Sequence, residues 1–310
     1  MAVSASSNTS SRTSTRSSTS DEGSGRGAEG HGFTARLTGF LRLVHPFPVL
    51  VDAAATASIA FLAGAGPGVA LRLGAAMLAL QAAIGALNDV VDAPRDAGHK
   101  PGKPIPAGLV SRGQGLAIAV GSALTGVVLS LPAGPGGVAV AAAILAVGAL
   151  YDLRLKGTPW SWLPFALGIP LLPMFAWTGA GAPLPPAFGL LLPAAFLAGA
   201  GLAIGNGLVD VERDSAAGAT SIAAHLGRPR AWLVMAVLYA AVVVTAAVSE
   251  LAGTINGVTF AAVAAPALII AAGAGLSASP SPARRERGWE LQAVGVALLA
   301  AGWLATTLAR

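Results

Sequence analysis

The distribution of apolar residues constrains this chain most. Nine runs of mainly apolar residues follow one another along the sequence, each close to the roughly 20 residues that a helix needs to cross a bilayer. Gly- and Pro-rich breaks such as GAGPG, LPAGPGG and SPSPARRERG separate them. The runs cover residues 46–65, 69–91, 113–132, 135–151, 161–179, 185–209, 229–249, 255–277 and 289–308. This pattern predicts an all-α polytopic membrane protein with nine transmembrane helices.

Composition agrees with a membrane protein and excludes several other classes. Hydrophobic residues make up 54% of the 310 residues and charged residues only 11%, whereas soluble domains carry about a quarter charged residues. The chain has no cysteine, which excludes disulfides and thiolate metal sites. Its net charge is +5, but the basic residues form no clustered footprint, so we expect no nucleic-acid partner.

Residues 1–32 differ from the rest of the chain. They are mostly Ser, Thr, Gly and Arg, with almost no apolar residues. Such a segment cannot bury enough surface to offset the entropy of ordering, so we predict a disordered cytosolic tail. Residues 33–310 are predicted to form a single membrane-embedded domain.

The positions of Lys and Arg predict the orientation of the spans. If every second loop lies on the same side as the N-terminus, the opposite side receives only Arg72 and Arg310. The N-terminal side receives Arg36, Arg42, Arg95, Lys100, Lys103, Arg112, Arg154, Lys156, Arg213, Arg228, Arg230, Arg284, Arg285 and Arg287. We therefore expect a cytosolic N-terminus and an external C-terminus. The excess of Arg over Lys in an Ala- and Gly-rich chain is typical of high-GC bacteria, which predicts a bacterial cell membrane.

Two polar motifs interrupt the apolar pattern, at the cytosolic ends of the second and sixth predicted spans. Each contains one Asn and two Asp at intervals of four residues: Asn88, Asp92 and Asp96, then Asn206, Asp210 and Asp214. At 100° per residue, such a series stays on one helix face. The four-span separation of the motifs predicts two pseudo-repeated halves.

The first motif has two further features. Asp89 falls within the same helical arc as Asn88 and Asp92. Pro94 is expected to disturb a regular helix, because proline lacks an N–H and clashes with the preceding turn. We therefore expect Asp96 to lie on a turn beyond the helix end.

Carboxylates crowded at a membrane edge repel one another unless a cation neutralises them. Oxygen ligands without Cys or His suit a hard ion such as Mg²⁺. Magnesium often uses only one or two carboxylates and leaves its other positions to water and substrate phosphate. The two motifs together therefore predict a Mg²⁺ site, with solvation of ordinary surface charges as the competing interpretation.

All three lysines of the chain lie in loops next to these motifs. Lys100 and Lys103 follow the first motif, and Lys156 ends the segment YDLRLK. Together they are suited to holding the outer oxygens of a diphosphate as point charges. The general preference for positive residues on the cytosolic side is the alternative explanation.

These segments resemble the UbiA-type intramembrane prenyltransferases. NDVVDAPRD resembles the first aspartate motif of that family, DVERD its second, and KPGKPIPAG the basic, Pro-rich run between them. YDLRLK resembles the family's Tyr-to-Lys loop, and DSAAGATSIAAHLG its Gly-Thr-Leu-Gly segment. Gly207 and Ala219 stand where the family often has an Asp or Asn and a basic residue.

The resemblance spans roughly residues 36–308 and implies a helical bundle around a central cavity. It implies Mg²⁺ and an isoprenyl diphosphate held between the motifs, with Asp210 and Asp214 as the main ligands from the second. We accordingly assign Asn88, Asp92, Asp96, Asp210 and Asp214 to the metal. Diphosphate binding is assigned to Lys100, Lys103, Tyr151, Lys156 and Arg42, and catalysis to Asp92, Asp210 and Lys156.

Asp52 is an acidic residue about two turns into the first predicted span. A bare carboxylate in lipid is unfavourable, so we expect Asp52 to face the bundle interior. Gln81 lies seven residues before Asn88 and so on the same helix face. We assign Asp52 and Gln81, together with Asp89 and Asn206, to the cavity and its substrates.

The expected reaction is cleavage of an allylic C–O bond, followed by attack of a hydrophobic acceptor, aromatic or lipid, on the carbocation within the bilayer. A UbiA-like terpene cyclase, which needs no separate acceptor, is one alternative. An ion-coupled transporter is another, although the acidic residues cluster at the cytosolic edge rather than at the midplane.

Overall fold

The computed structural model describes residues 32–310 apart from residues 99, 101, 217, 219, 252, 254 and 255. The predicted disordered tail therefore lies, except for its last residue, outside the described residues. Within these residues every regular element is helical. The α-helices are α1 (Phe33–Leu43), α2 (Pro46–Leu62), α3 (Pro67–Asp96), α4 (Arg112–Ser130), α5 (Gly134–Leu150), α6 (Leu163–Gly179), α7 (Phe188–Val209), α8 (Val211–Ala216), α9 (Ile222–Leu226), α10 (Arg228–Leu251), α11 (Gly257–Ser277) and α12 (Pro282–Leu308).

Local sequence explains where several helices begin. The hydroxyl of Ser111 accepts a hydrogen bond from the backbone N–H of Gln114, and the backbone N–H of Ser111 donates to the side-chain oxygen of Gln114, which forms a capping box at the start of α4. Asn256 and Thr259 form the same arrangement at the start of α11. Proline opens α2, α3 and α12, where its missing N–H has no intrahelical partner to lose.

Each of the nine predicted apolar segments coincides with one of these helices. By length and composition, six helical stretches in the described part of the chain are suited to crossing a membrane. A seventh is counted if α1 and α2, which meet at a bend of 55°, form one span. Helix α6 is apolar but, at 17 residues, shorter than each of the six stretches. One of the six stretches, Arg112–Leu155, has 44 residues and contains both α4 and α5.

Helix α4 runs antiparallel to α3. Gly115, near the start of α4, packs against Val90, near the end of α3. Gly126, toward the end of α4, packs against Leu80, in the middle of α3. The contacts therefore run in opposite order along the two helices.

Helix α5 instead runs parallel to α3. Gly148 packs against Ile84, and beyond the end of α5 the amide of Asn88 donates a hydrogen bond to Asp152. The chain consequently reverses direction between α4 and α5, at the 3₁₀ turn Leu131–Ala133. The next residue, Gly134, has φ 72°, a conformation that L side chains rarely adopt.

The core lies where α3, α6, α7, α10 and α12 face one another. Its largest fully buried apolar side chains include Leu73, Met77, Phe175, Met235 and Leu299. Glycine allows close approach between neighbouring helices, as is common in membrane bundles. A Cβ placed on Gly199 of α7 would lie only 2.3 Å from the carbonyl oxygen of Phe165 in α6.

The expectation for Asp96 was wrong. Helix α3 continues through Pro94 and ends at Asp96 itself. Proline removes one hydrogen bond to the preceding turn. The helix continues for only two residues after Pro94, so the loss of this one bond does not end it earlier. The following backbone hydrogen bonds are made, from Ala97 to Ala93 and from Lys100 to Asp96. Asp96 therefore stays on the helix that carries Asn88 and Asp92.

The Gly199 contact yields a stability prediction. We expect Gly199→Ala to lower the thermal midpoint of the protein in detergent, because a Cβ there meets the backbone of α6 and overpacking costs about 1–3 kcal/mol. Gly189→Ala, on the same helix with open space around it, is the matched control and should be neutral or slightly stabilising. Equal midpoints for the two variants would contradict the close packing of α6 and α7.

Candidate active site

The first motif places three carboxylates at the end of α3. Asp89, Asp92 and Asp96 are only 3%, 9% and 7% exposed. The amide of Asn88 donates a 2.7 Å hydrogen bond to Asp152, in the π-helical turn Tyr151–Leu155 that follows α5. Since unpaired buried carboxylates are unfavourable, this end of α3 requires positive partners.

Lysines from two loops supply those partners. Lys156, directly after the π-helical turn, forms an ion pair with Asp92. Lys103 forms an ion pair with Asp89, which also lies 3.1 Å from the Nε2 atom of His45. Groups from three separate parts of the chain thus contact Asp89 and Asp92 of the first motif.

The second motif lies at a break between two helices. Helix α7 ends at Val209 and α8 begins at Val211, with Asp210 between them at φ −112° and ψ 17°. The backbone N–H of Asp214 donates to the carbonyl oxygen of Asp210 at 2.9 Å. This bond keeps the i, i+4 relation between the two aspartates although the helix itself is interrupted.

Lys100 joins the two motifs. Its Nζ atom lies 3.2 Å from the Oδ2 atom of Asp210, although Lys100 follows the first motif in sequence. Burial by itself would lower the pKa of Lys100, but Asp210, together with Asp96 and Asp214, raises it above the ordinary value of a lysine. Burial and the neighbouring Asp210 raise the pKa of Asp214, against the lowering effect of Lys100. Carboxylates from both motifs therefore lie around one ammonium group.

The loop after the second motif contacts the loop that carries Lys156. The backbone N–H and the hydroxyl of Thr220 both donate to the carbonyl oxygen of Gly157, at 3.1 and 3.0 Å. The N–H of Ile222 donates to the hydroxyl of Ser161 at 3.2 Å. These bonds hold the two halves of the site together on the same side of the bundle.

The remaining residues assigned to diphosphate binding also lie near this edge. Tyr151 packs edge-on against Phe165, and the ammonium of Lys156 is 5.7 Å from the centre of the Tyr151 ring. Arg42 is exposed, and its guanidinium reaches the vicinity of Gly102, in the loop with Lys100 and Lys103. No hydrogen bond within the described residues fixes this guanidinium.

Asn206 is half-buried in the last turn of α7, four residues before Asp210. The neighbouring Gly207 packs against Ala223 of α9, where a Cβ would lie 2.9 Å from the Ala223 side chain. The glycine that departs from the resembled pattern is thus explained by close packing.

Asp52 and Gln81 form a separate polar pair deeper in the bundle. The amide of Gln81 donates to the Oδ2 atom of Asp52 at 2.6 Å. Thr56, one turn after Asp52, is buried, whereas Leu50 and Phe61 on the opposite face of α2 are exposed. Asp52 therefore faces inward, as the sequence predicts. Gln81 lies two turns before Asn88, or about 10 Å along α3.

Sequence reasoning missed three residues of this region. His45 precedes α2 at a positive φ of 53°, a strained position for a non-glycine residue; the only signal was a histidine directly before a proline. Asp152 was visible only as the acidic residue beside Tyr151. Arg285 lies in an ARRER run that reads as ordinary cytosolic positive charge.

The donor set fits a hard metal ion that is completed by a bound anion. Among the residues that the structure describes, no three acidic or histidine side chains converge closely enough to hold a metal by themselves. Yet both motifs offer oxygen ligands, and the buried Oδ2 atoms of Asp89 and Asp152 have no hydrogen-bond partner. A cation that takes over from the lysines, with phosphate oxygens as further ligands, suits this arrangement.

Comparison with known proteins agrees with these observations. The model of the UbiA prenyltransferase family matches residues 49–299, which is most of the chain. The chain belongs to the UbiA prenyltransferase family. It is therefore a prenyltransferase and a multi-pass membrane protein, as the sequence resemblance implies.

The individual relatives and solved structures have low sequence identity to this UbiA protein. The chain is 34% identical over 195 residues to digeranylgeranylglyceryl phosphate synthase of Methanoregula boonei, covering 61% of this chain and 68% of that one. The UbiA homologue from Archaeoglobus fulgidus bound to GPP and Mg²⁺ shares 19% identity and a TM-score of 0.66. The UbiA homologue from Aeropyrum pernix shares 19% identity and a TM-score of 0.68. Each comparison covers 86% of this chain and 99% of the homologue, which shows a UbiA-like fold.

The meeting of the two motifs at Lys100 can be tested by crosslinking, because the chain has no native cysteine. We expect Lys100→Cys combined with Asp210→Cys to react efficiently with a short bifunctional thiol reagent. The control combines Lys100→Cys with Glu212→Cys, since the Glu212 side chain points away toward Arg285. Mass spectrometry of tryptic peptides measures the yield. Equal crosslinking of both pairs would contradict the placement of Asp210 beside Lys100.

Proposed function

We propose that this protein transfers an isoprenyl group from an isoprenyl diphosphate to a hydrophobic acceptor within the membrane, with release of diphosphate. The observation that carries the proposal is the ion pair between Lys100 and Asp210. It brings two aspartate motifs, 118 residues apart at Asp92 and Asp210, to one edge of an apolar bundle. At such an edge, the charged diphosphate lies beside polar side chains while the reacting prenyl carbon lies in the water-free interior of the bundle.

We infer that Mg²⁺ is the cofactor. Asn88, Asp92 and Asp96 would hold it from one side, and Asp210 and Asp214 from the other. Bound Mg²⁺ would supply charge stabilisation for the departing diphosphate. The Archaeoglobus fulgidus homologues bound to DMAPP or GPP with Mg²⁺ support this inference.

The lysines take a double role in this proposal. In the structure, Lys156 and Lys103 neutralise Asp92 and Asp89. When a diphosphate enters, their ammonium groups turn from carboxylate oxygens to phosphate oxygens, joined by Lys100 and Arg42 and by the hydroxyl of Tyr151. The same groups therefore offset the repulsion between the carboxylates and bind the leaving group.

The chemical step breaks the C–O bond between the allylic carbon and the diphosphate, which leaves with the bonding electron pair. An oxygen or ring carbon of the acceptor then bonds to that carbon and loses its proton.

We place the acceptor in a central cavity lined by Asp52 and Gln81, with Asp89 and Asn206 nearer the diphosphate. A lipid acceptor is supported by the digeranylgeranylglyceryl phosphate synthase relative, and an aromatic acceptor remains the second candidate because of the Trp- and Phe-containing α6.

We further propose nine membrane crossings in two pseudo-repeated halves within residues 33–310, with residues 1–32 as an accessory tail. The reversal of the chain between α4 and α5 supports two crossings within the stretch Arg112–Leu155. The placement of both motifs at one edge supports the repeat. The excess of Lys and Arg at that edge favours a cytosolic site in a bacterial cell membrane, with the N-terminus inside and the C-terminus outside.

We expect Asp92→Asn and Asp210→Asn each to reduce diphosphate release a thousandfold or more while the protein still folds. Each substitution keeps the side-chain shape but removes the charge that would hold the metal, which is worth several kcal/mol of leaving-group stabilisation. The measurement is Mg²⁺-dependent release of diphosphate from GPP with a mixture of lipid and phenolic acceptors, together with the thermal midpoint.

Glu286→Gln, which removes an exposed carboxylate on α12, is the control and should retain wild-type turnover. Turnover of either aspartate variant within tenfold of wild type would contradict the two-motif site. Diphosphate release that is independent of any acceptor, with a cyclised hydrocarbon as product, would identify a cyclase instead. Binding of GPP without release would favour a carrier.

Removing a lysine should reveal how its charge stabilises the neighbouring carboxylates. Lys156→Met leaves Asp92 without its partner and should lower the thermal midpoint by about 3 °C or more. Mg²⁺ with inorganic diphosphate should recover more stability in this variant than in wild type, because the metal replaces the missing positive charge. Arg154→Met, an exposed position in the same turn, is the control. Destabilisation that Mg²⁺ and diphosphate leave unchanged would contradict the exchange of partners.

The proposed orientation predicts a labelling pattern. A membrane-impermeant thiol reagent should label Leu184→Cys, in the loop between α6 and α7, in intact cells. Gly113→Cys, at the start of α4 near the site, should react only after the membrane is permeabilised. Both positions are exposed, and the native chain contributes no thiol. The reverse pattern would place the site outside the cell.

A further inference from the structure

Arg285 is a fully buried charged residue near the start of α12, with 0% exposure. Its neighbours in the ARRER run, Arg284, Glu286 and Arg287, are all exposed. An arginine is seldom fully buried, because the loss of hydration must be compensated by several hydrogen bonds or an opposite charge. The burial of this single residue in the run therefore calls for specific partners.

Those partners come from two places in the chain. The Nη1 atom donates to the carbonyl oxygens of Ser279 and Pro280, at 3.2 and 3.0 Å, in the turn before α12. The Nη2 atom donates to the carbonyl oxygen of Val209 at 2.9 Å and to the carboxylate of Glu212 at 2.5 Å. The guanidinium thus connects the turn between α11 and α12 to the second aspartate motif.

The contacts with the motif lie on both sides of Asp210. Val209 is the last residue of α7, and its carbonyl oxygen is one of those that a helix end leaves without an intrahelical partner. Glu212 lies between Asp210 and Asp214 in sequence and points to the other side of α8. Arg285 therefore contacts the helix break on the side away from the first motif. It binds Val209, just before Asp210, and Glu212, two positions after Asp210.

A second arginine touches the same carboxylate more weakly. Arg228, at the start of α10, lies 3.4 Å from the Oε1 atom of Glu212. The carboxylate of Glu212 is thus shared by Arg285 and Arg228 and takes no part in the cluster around Lys100.

We propose that Arg285 is a positioning residue for the second aspartate motif. From α12 it fixes the break between α7 and α8, so that Asp210 and Asp214 face the first motif while Glu212 faces away. Arg285 itself does not contact the substrate. The effect on metal and diphosphate binding rests on the proposed function, whereas the effect on the local backbone does not.

Hydrogen–deuterium exchange of the ligand-free protein tests the backbone effect. Arg285→Gln should increase exchange at residues 205–216 tenfold or more, because the carbonyl of Val209 loses its partner and the carboxylate of Glu212 keeps only the weaker contact with Arg228. Residues 84–96 of α3 should exchange as in wild type. Arg284→Gln, which removes an exposed arginine next to it, is the matched control and should change neither segment.

Steady-state kinetics tests the consequence for the site. Arg285→Gln should raise both the Mg²⁺ concentration for half-maximal rate and the KM for GPP tenfold or more, while kcat at saturation stays within threefold. Arg285→Lys keeps the charge but forms fewer hydrogen bonds, and should fall between wild type and Arg285→Gln. Glu212→Gln keeps Arg285 and its carbonyl contacts, so its shift should be smaller than that of Arg285→Gln.

Three outcomes would overturn the proposal. One is unchanged exchange at 205–216 in Arg285→Gln. Another is a rise in exchange spread over the whole bundle, which would make Arg285 a general stabiliser. A loss of kcat with unchanged Mg²⁺ and GPP dependence is the third. If Arg285→Gln does not fold, Arg285→Lys and Glu212→Gln carry the same test. If Asp210→Asn retains wild-type turnover, the proposed function fails, and the exchange result alone decides the role of Arg285.

Discussion

The crowding of carboxylates at one edge of an apolar bundle governs the organisation of this protein. Asp89, Asp92 and Asp96 end one helix, and Asp210 and Asp214 follow another, in surroundings where like charges repel strongly. Lysines from two loops lie among them, and Lys100 contacts the motif that is distant from it in sequence. The loops are therefore held in place by the acidic residues, and the acidic residues are tolerated because of the loops.

The bundle supports this edge through close helix contacts and buried polar links. Gly199 brings α7 against α6, and the carbonyl of Gly157 receives both donors of Thr220, so the loops after α5 and α7 are tied together. Arg285 contributes a contact from behind the second motif. The Asp52–Gln81 pair is a polar feature that lies deeper, about two helical turns from the charged edge. A molecule with a charged head at the edge would extend its apolar part past that pair.

Much of this could be predicted from sequence, because hydropathy and spacing encode it directly. The nine apolar segments coincide with helices, and the i, i+4 spacing brings the carboxylates of each motif together. The prediction for Asp96 was wrong because of Pro94. A proline two residues before the end of a helix removes only one backbone hydrogen bond, so the helix can still reach Asp96. The ion pairs of Lys100 and Lys156, the strained His45 and the buried Arg285 depend on contacts across more than 40 residues. No local sequence pattern encodes such contacts. Sequence alone therefore does not distinguish the buried Arg285 from its exposed neighbours.

We propose that a diphosphate with its metal takes the place of the lysines beside the aspartates. The most direct test is an experimental structure of the protein with Mg²⁺ and a non-reactive isoprenyl thiolodiphosphate. We expect the diphosphate between Asp92 and Asp210, with the ammonium groups of Lys100 and Lys156 moved from carboxylate to phosphate oxygens. A diphosphate bound elsewhere, or bound here with both lysine–aspartate pairs intact, would contradict it.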